Sequence, residues 1–173
     1  MYNLIIIGGK PGSGKTTLLK QLEQLNIVSL GIDEMYLKAP RDPNIQNWFE
    51  DQVFLDTAYT LFKEAILQAM HHNKPIAIET TGTGKRWADL FAELRVKFAD
   101  QIITIYLETS QETSTKRVRD RNETDYPIKM TEERLDTFFK LAKDAPREYQ
   151  QVIDADRPLD EVFDEILSLI KDT

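Results

Sequence analysis

The sequence predicts a three-layer α/β sandwich around a mostly parallel sheet. Two observations carry that reading. Five short apolar runs alternate with longer amphipathic stretches along 173 residues, and strands alternating with helices imply crossover units. A glycine-rich turn stands between the first apolar run and the first amphipathic stretch, and such sheets hold their ligands outside the carboxyl ends of the strands. The length fits one domain, here residues 1–173, and a domain of that size buries roughly 70% of its unfolded surface, so a full core needs no staples.

Leu4–Ile7 is a continuous apolar run closed by glycines, as expected of a buried parallel strand. Leu18, Leu19, Leu22 and Leu25 recur at helical spacing, and Ile27–Leu30 is a second strand ending at Gly31. Beyond the polar stretch Lys38–Asn47, apolar pairs from Val53 to Met70 repeat every three to four residues, the mark of a long helix. Asn73-Lys74-Pro75 stops it. Ile76–Ile78 is the third strand, followed by a helix through Trp87, Leu90, Phe91, Leu94 and Phe98. Ile102–Leu107 is the fourth strand, and a basic helix spans Ser110–Arg121. A polar segment, Asn122–Lys129, leads to a helix through Leu135, Phe138, Phe139 and Ala142. Gln151–Ile153 is the fifth strand, and Val162–Ile170 marks the last helix.

Composition narrows the chemistry. The chain has no cysteine, which excludes disulfides, iron–sulfur clusters, a thiol nucleophile and cysteine zinc sites. The two histidines, His71 and His72, are adjacent and read as an exposed helix end. The formal charge of −7 argues against a broad nucleic-acid surface but leaves room for a local basic pocket. No apolar run approaches the ~20 residues of a membrane helix. The segment from Met1 to Ile7 has neither a basic region nor a cleavage site, so no signal peptide and a cytoplasmic location are expected.

Gly9-Lys10-Pro11-Gly12-Ser13-Gly14-Lys15-Thr16 fits the spacing G-x-x-x-x-G-K-[ST] throughout. Glycines let successive N–H groups turn inward around phosphate oxygens, and the helix that follows adds its positive end. Lys15 brings a point charge to the β- and γ-phosphates, and Thr16 offers a hydroxyl to Mg²⁺. The expected nucleotide-binding set is Gly9, Pro11, Gly12, Ser13, Gly14, Lys15, Thr16 and Thr17.

With Asp33 after the second strand and the arginines of 114–121, this loop resembles the P-loop kinases of small molecules and nucleotides. That group includes the adenylate, thymidylate, shikimate and gluconate kinases and the zeta-toxin- and polynucleotide-kinase-like AAA ATPase domains. The order of elements is similar over nearly the whole chain. The resemblance implies a P-loop NTPase fold with a five-stranded parallel sheet in order 2-3-1-4-5. It also implies an acceptor region at about 33–60, a lid at about 114–130, and ATP and Mg²⁺ as cofactors. Asp33 is then the base or the holder of an acceptor hydroxyl, whereas on its own it also reads as a helix cap. The group usually has Asp where this chain has Glu79, which is longer. Glu79 could reach the metal through water, orient Thr16, contact the acceptor, or simply bond to neighbouring backbone.

Thr80, Thr81 and Gly82 form a polar turn at the same sheet edge, and Thr80 and Gly82 are candidates for the acceptor pocket. Lys85 and Arg86 read as a solvated helix start that could also meet an anion. Arg117 and Arg121 share a helix face while Arg119 points elsewhere, and closing over the triphosphate they would neutralise the transferring phosphoryl group. The 154–156 loop, centred on Ala155, resembles the loop that touches the nucleotide base in this group, and is equally a plain turn. Trp48 and Phe49 could stack on an acceptor or pack in the core.

The leading expectation is an ATP- and Mg²⁺-dependent kinase acting on a small-molecule or nucleotide acceptor, with Lys15, Asp33, Arg117 and Arg121 catalytic. The alternatives are a regulatory P-loop ATPase without such an acceptor and a polynucleotide 5′-hydroxyl kinase. A GTPase switch is disfavoured because Asn73-Lys74-Pro75 is followed by Ile76 where base reading needs Asp.

Overall fold

The computed structural model describes residues 3–45, 47, 49–72 and 74–171. Its strands are β1 (Leu4–Gly9), β2 (Val28–Gly31), β3 (Ile76–Thr80), β4 (Ile102–Glu108) and β5 (Gln151–Asp154). They form one parallel sheet in the order β2-β3-β1-β4-β5, as expected. β1 lies in the middle, its pairing running from Leu4↔Ile76 to Gly8↔Thr80 on one side and from Leu4↔Ile102 to Gly9↔Leu107 on the other. All six of its residues are buried. A strand covered on both faces has no polar side to show, hence its unbroken apolar run.

The helices are α1 (Lys15–Glu23), α2 (Ile32–Lys38), α3 (Gln52–Ala69), α4 (Lys85–Phe98), α5 (Gln111–Asn122), α6 (Glu132–Leu141) and α7 (Leu159–Lys171). The two-residue period of β1 divides the core. Leu4 and Ile6 meet Phe54, Phe62 and Ile66 of α3 and Leu90 of α4. Ile5 and Ile7 meet Leu18 and Leu22 of α1 and Val162 and Ile166 of α7. Each of these fully buried side chains contributes about 1.5–3 kcal/mol over its exposed state.

Local capping fixes where the helices begin. The Asp51 carboxylate accepts from the N–H groups of Val53 and Phe54 at 2.9 and 3.2 Å and starts α3. Ser110 and Thr131 do the same for α5 and α6. One element has no counterpart in the periodicity reading: α2, which lies between the second strand and the polar stretch Lys38–Asn47. It spans only seven residues and buries Met35, too short a repeat to show a period. Its effect on the site is large, because it carries Asp33 in its first turn. No helix among the described residues is long and apolar enough to cross a membrane.

Candidate functional site

The turn from β1 into α1 is built from glycine for two reasons. Gly12 and Gly14 hold φ of 80° and 97°, the left-handed region that costs other residues about 1–2 kcal/mol. A Cβ on Gly12 would also come within 2.7 Å of the Ser114 carbonyl oxygen. α1 opens at Gly14 with no side-chain cap, so its first N–H groups are left for an anion. Inside the turn Lys15 Nζ donates to the carbonyls of Gly9 and Lys10 at 2.7 and 2.8 Å, and more weakly to Ser13 Oγ at 3.4 Å. Burial pulls the Lys15 ammonium down to about 8; the nearby charges of Glu79 and Asp33 oppose that fall, and Arg121 adds to it.

At the end of β3, Glu79 is 4% exposed, and its Oε2 accepts from Thr16 Oγ1 at 2.9 Å. Of the four roles open to Glu79, this contact matches the orienting of Thr16. Burial raises the Glu79 carboxyl above the usual range, against the pull of Lys15. Gly31 makes room for it: a Cβ there would lie 2.7 Å from Glu79 Oε1. A hydroxyl and a carboxylate sharing one hydrogen bond beside the phosphate turn are hard oxygen donors. Mg²⁺ takes one or two such groups together with waters and phosphate oxygens, so the residues present fit that ion.

α5 docks directly on the phosphate turn. Ser114, fully buried, donates to the Pro11 carbonyl. Arg117 Nη1 donates to the Gly12 carbonyl at 3.3 Å and the Ala155 carbonyl at 3.1 Å. Arg121 lies over the Tyr126 ring, 4.6 Å from its centroid, and its buried Nε has no hydrogen-bond partner among the described residues. Arg119 points away and pairs with Glu132, as expected from its place on the helix.

These groups line one cleft of about 720 Å³. Pro11, Gly12, Gly14 and Thr17 line it with Lys15 and Thr16, and so do Asp33, Tyr36, Phe49 and Tyr59. Phe49 meets Tyr36 edge-on at 5.4 Å and lines the cleft, where core packing was the favoured expectation. Arg134 of α6 lies over Phe49, 3.1 Å from the ring centroid. Burial lowers its guanidinium to about 10. It has no carboxylate salt-bridge partner among the described residues. Tyr126 Oη donates to Asp33 Oδ2 at 2.6 Å.

Three expectations change. Gly82 does not line the cleft: at φ 71° it turns the chain, and a Cβ there would meet Tyr149 Oη at 2.6 Å. Thr80 does line it, but its hydroxyl accepts from the Gly82 N–H at 2.9 Å and so closes the turn. Ala155 is buried, outside the cleft lining, with its N–H on the Glu108 carbonyl and its own carbonyl on Arg117. Arg86 reaches the cleft while bound to Asp56 and Gln52 at 2.5 and 2.8 Å. Trp48 lies outside the described residues. Sequence reasoning did not find Tyr36, Tyr59, Tyr126 or Arg134. Only Tyr36, one helical turn beyond Asp33, left a local signal.

The fold is similar to those of solved P-loop kinases of small molecules. The chain belongs to the AAA domain family, whose sequence pattern matches residues 4–144, from β1 through α6. It is 25% identical to adenylate kinase isoenzyme 1 of Gallus gallus over 98% of this chain and 94% of that protein. Its fold is similar to a shikimate kinase from Acinetobacter baumannii solved with shikimate, with TM-score 0.64, 22% identity and coverage of 98% and 93% of the two chains. A gluconokinase from Sinorhizobium meliloti superposes with TM-score 0.66 at 20% identity, over 96% and 90%. A putative kinase from Chloroflexus aurantiacus does so with TM-score 0.70 at 13% identity, over 99% and 97%.

Proposed function

We propose that this protein is an ATP- and Mg²⁺-dependent phosphotransferase that moves the γ-phosphoryl group to the hydroxyl of a small-molecule or nucleotide acceptor. One observation supports this most: a single cleft is lined both by the phosphate turn with Lys15 and by Asp33 with the aromatic side chains of Tyr36, Phe49 and Tyr59. A pure ATPase has no use for the second half. The Asp33 carboxylate accepts a hydroxyl hydrogen at 2.6 Å from Tyr126, which is the contact an acceptor hydroxyl would make. That observation favours a hydroxyl acceptor over a phosphate one.

In this reading Lys15 leaves the Gly9 and Lys10 carbonyls to meet the phosphates. Thr16, oriented by Glu79, offers its hydroxyl to Mg²⁺, and when bound that ion supplies charge neutralisation on the phosphate oxygens. Asp33 accepts the acceptor's proton and aligns its oxygen. Arg117 holds the phosphate turn to the loop after β5, and Arg121 is the cation free to face the transferring group. Residues 114–130 act as the lid and 33–60 as the acceptor region. The aromatic wall and Arg134 suit an acceptor with an apolar body and a negative group.

The test is ADP release from Mg·ATP over a panel of nucleosides, nucleoside monophosphates, sugar acids, ring hydroxy acids, aminoglycosides and 5′-hydroxyl oligonucleotides. Acceptor-dependent ADP that falls at least 100-fold in Lys15→Ala is expected. ADP release indifferent to every acceptor would turn the reading toward a regulatory ATPase.

A further inference from the structure

Asp33 has one side-chain hydrogen bond among the described residues, and its donor comes from 93 positions away, the 2.6 Å contact of Tyr126 Oη. The loop that brings Tyr126 there is firmly built. Asn122 at the end of α5 exchanges two bonds with Met130, Nδ2 to the Met130 carbonyl at 2.6 Å and Oδ1 from the Met130 N–H at 3.1 Å. Lys129 Nζ ties back to the Asn122 carbonyl at 2.8 Å. Ile128 and Met130 are buried, whereas Thr124, Asp125 and Pro127 are exposed. From this tip the Tyr126 ring alone reaches inward, under the Arg121 guanidinium. Burial and the Asp33 charge both push the phenol up, so it stays a proton donor and is a poor nucleophile.

An Asp33 placed to take a proton from an acceptor would serve water equally well. In hydrolysis a water oxygen would bond to the γ-phosphorus, its proton would pass to Asp33, and the bond to the bridging oxygen would break with its electron pair leaving on ADP. With Tyr126 in place, Asp33 Oδ2 already accepts one hydroxyl hydrogen, and the phenol stands where an incoming hydroxyl would meet that oxygen. We propose that Tyr126 is a specificity-determining residue that reserves Asp33 for the acceptor: its phenol fills the hydroxyl subsite until an acceptor hydroxyl displaces it, and water is thereby excluded as a phosphoryl acceptor. The inference rests on the phosphotransferase reading above.

The experiment is ADP formation by the full chain with Mg·ATP and no acceptor, comparing wild type with Tyr126→Phe. Phe keeps the ring under Arg121 and removes only the hydroxyl. Acceptor-independent turnover is expected to rise about ten- to hundredfold, the release of one hydrogen bond to a charged partner. The affinity for Mg·ATP, read by titration calorimetry, should stay within about twofold. Tyr126→Leu, which also gives up the ring, should raise turnover too, and the gain should vanish in Tyr126→Phe/Asp33→Asn. Turnover equal to or below wild type in both single variants would overturn the proposal. So would a gain that survives Asp33→Asn, which would mean general loosening of the loop. A phosphate found on Tyr126 by mass spectrometry would overturn it as well, by making the tyrosine an internal acceptor. Failure of the phosphotransferase reading would show separately in the wild type, as no Mg·ATP binding or as ADP release indifferent to every acceptor of the panel.

Discussion

Lys15 carries the clearest electrostatic signature of the cleft. Its ammonium is held down to about 8 by burial, and a phosphate group beside it would raise that value again. The free protein therefore takes up a proton on binding the triphosphate once the pH passes about 8. Affinity should be full below that point and fall with rising pH, by up to tenfold per pH unit. Calorimetry in buffers of different ionisation enthalpy checks this by showing proton uptake near pH 8.5 and none near pH 6.5. An affinity flat across that range would contradict the desolvation of Lys15. For the fold itself the sign is opposite: a depressed lysine adds stability as pH rises from about 8 toward its unfolded value. At this scale the sequence was most legible where spacing alone makes a site. Lys15 and Thr16 follow from eight consecutive residues. Asp33, Arg117 and Arg121 follow from their places after a strand and along one helix face. Arg134 and Tyr126 left no such mark, because an arginine in an amphipathic helix and a tyrosine in a polar loop become site residues only through packing across elements.

Between elements, the contact of α5 with the phosphate turn sets how the nucleotide half is held. Ser114 is fully buried and donates to the Pro11 carbonyl, and Gly12 allows α5 to approach so closely. Ser114→Ala leaves that carbonyl without its buried donor, at a cost of about 1–3 kcal/mol in urea unfolding. Because the lost bond holds the phosphate turn, the variant should also bind Mg·ATP more weakly; an unchanged affinity would separate α5 docking from nucleotide binding. The strands and most helices were legible to within a residue or two, since both-faced burial and amphipathic periodicity dictate them. α2 was not, as two turns are too few to reveal a period. The turn at Gly82 was legible as a turn but not in its direction: the close approach of Tyr149, from the other end of the chain, decides that.

For the whole molecule, the two faces of the sheet form one structure through β1, and its carboxyl end feeds the cleft. Ligand binding and global stability are therefore linked. At a concentration of Mg·ATP about 100 times its Kd, linkage adds about 2.7 kcal/mol. For a chain of this length that is a rise of about 5–10 °C in the melting midpoint. Differential scanning fluorimetry checks it, and Lys15→Ala should lose most of the rise. The architecture was legible from alternation and resemblance together; of the aromatic wall, the span 33–60 and Phe49 were expected, but Tyr36, Tyr59 and the share of α6 were not, because the wall gathers α2, α3 and α6 with the chain leading into α3.

The central claim is transfer to a hydroxyl and not to water. The most direct measurement follows the label of γ-³²P-ATP through the acceptor panel with wild type, Lys15→Ala and Asp33→Asn. Label is expected on one class of hydroxyl acceptor, lost in Lys15→Ala and reduced about 100-fold or more in Asp33→Asn. Label recovered only as inorganic phosphate, whatever the acceptor offered, would contradict it.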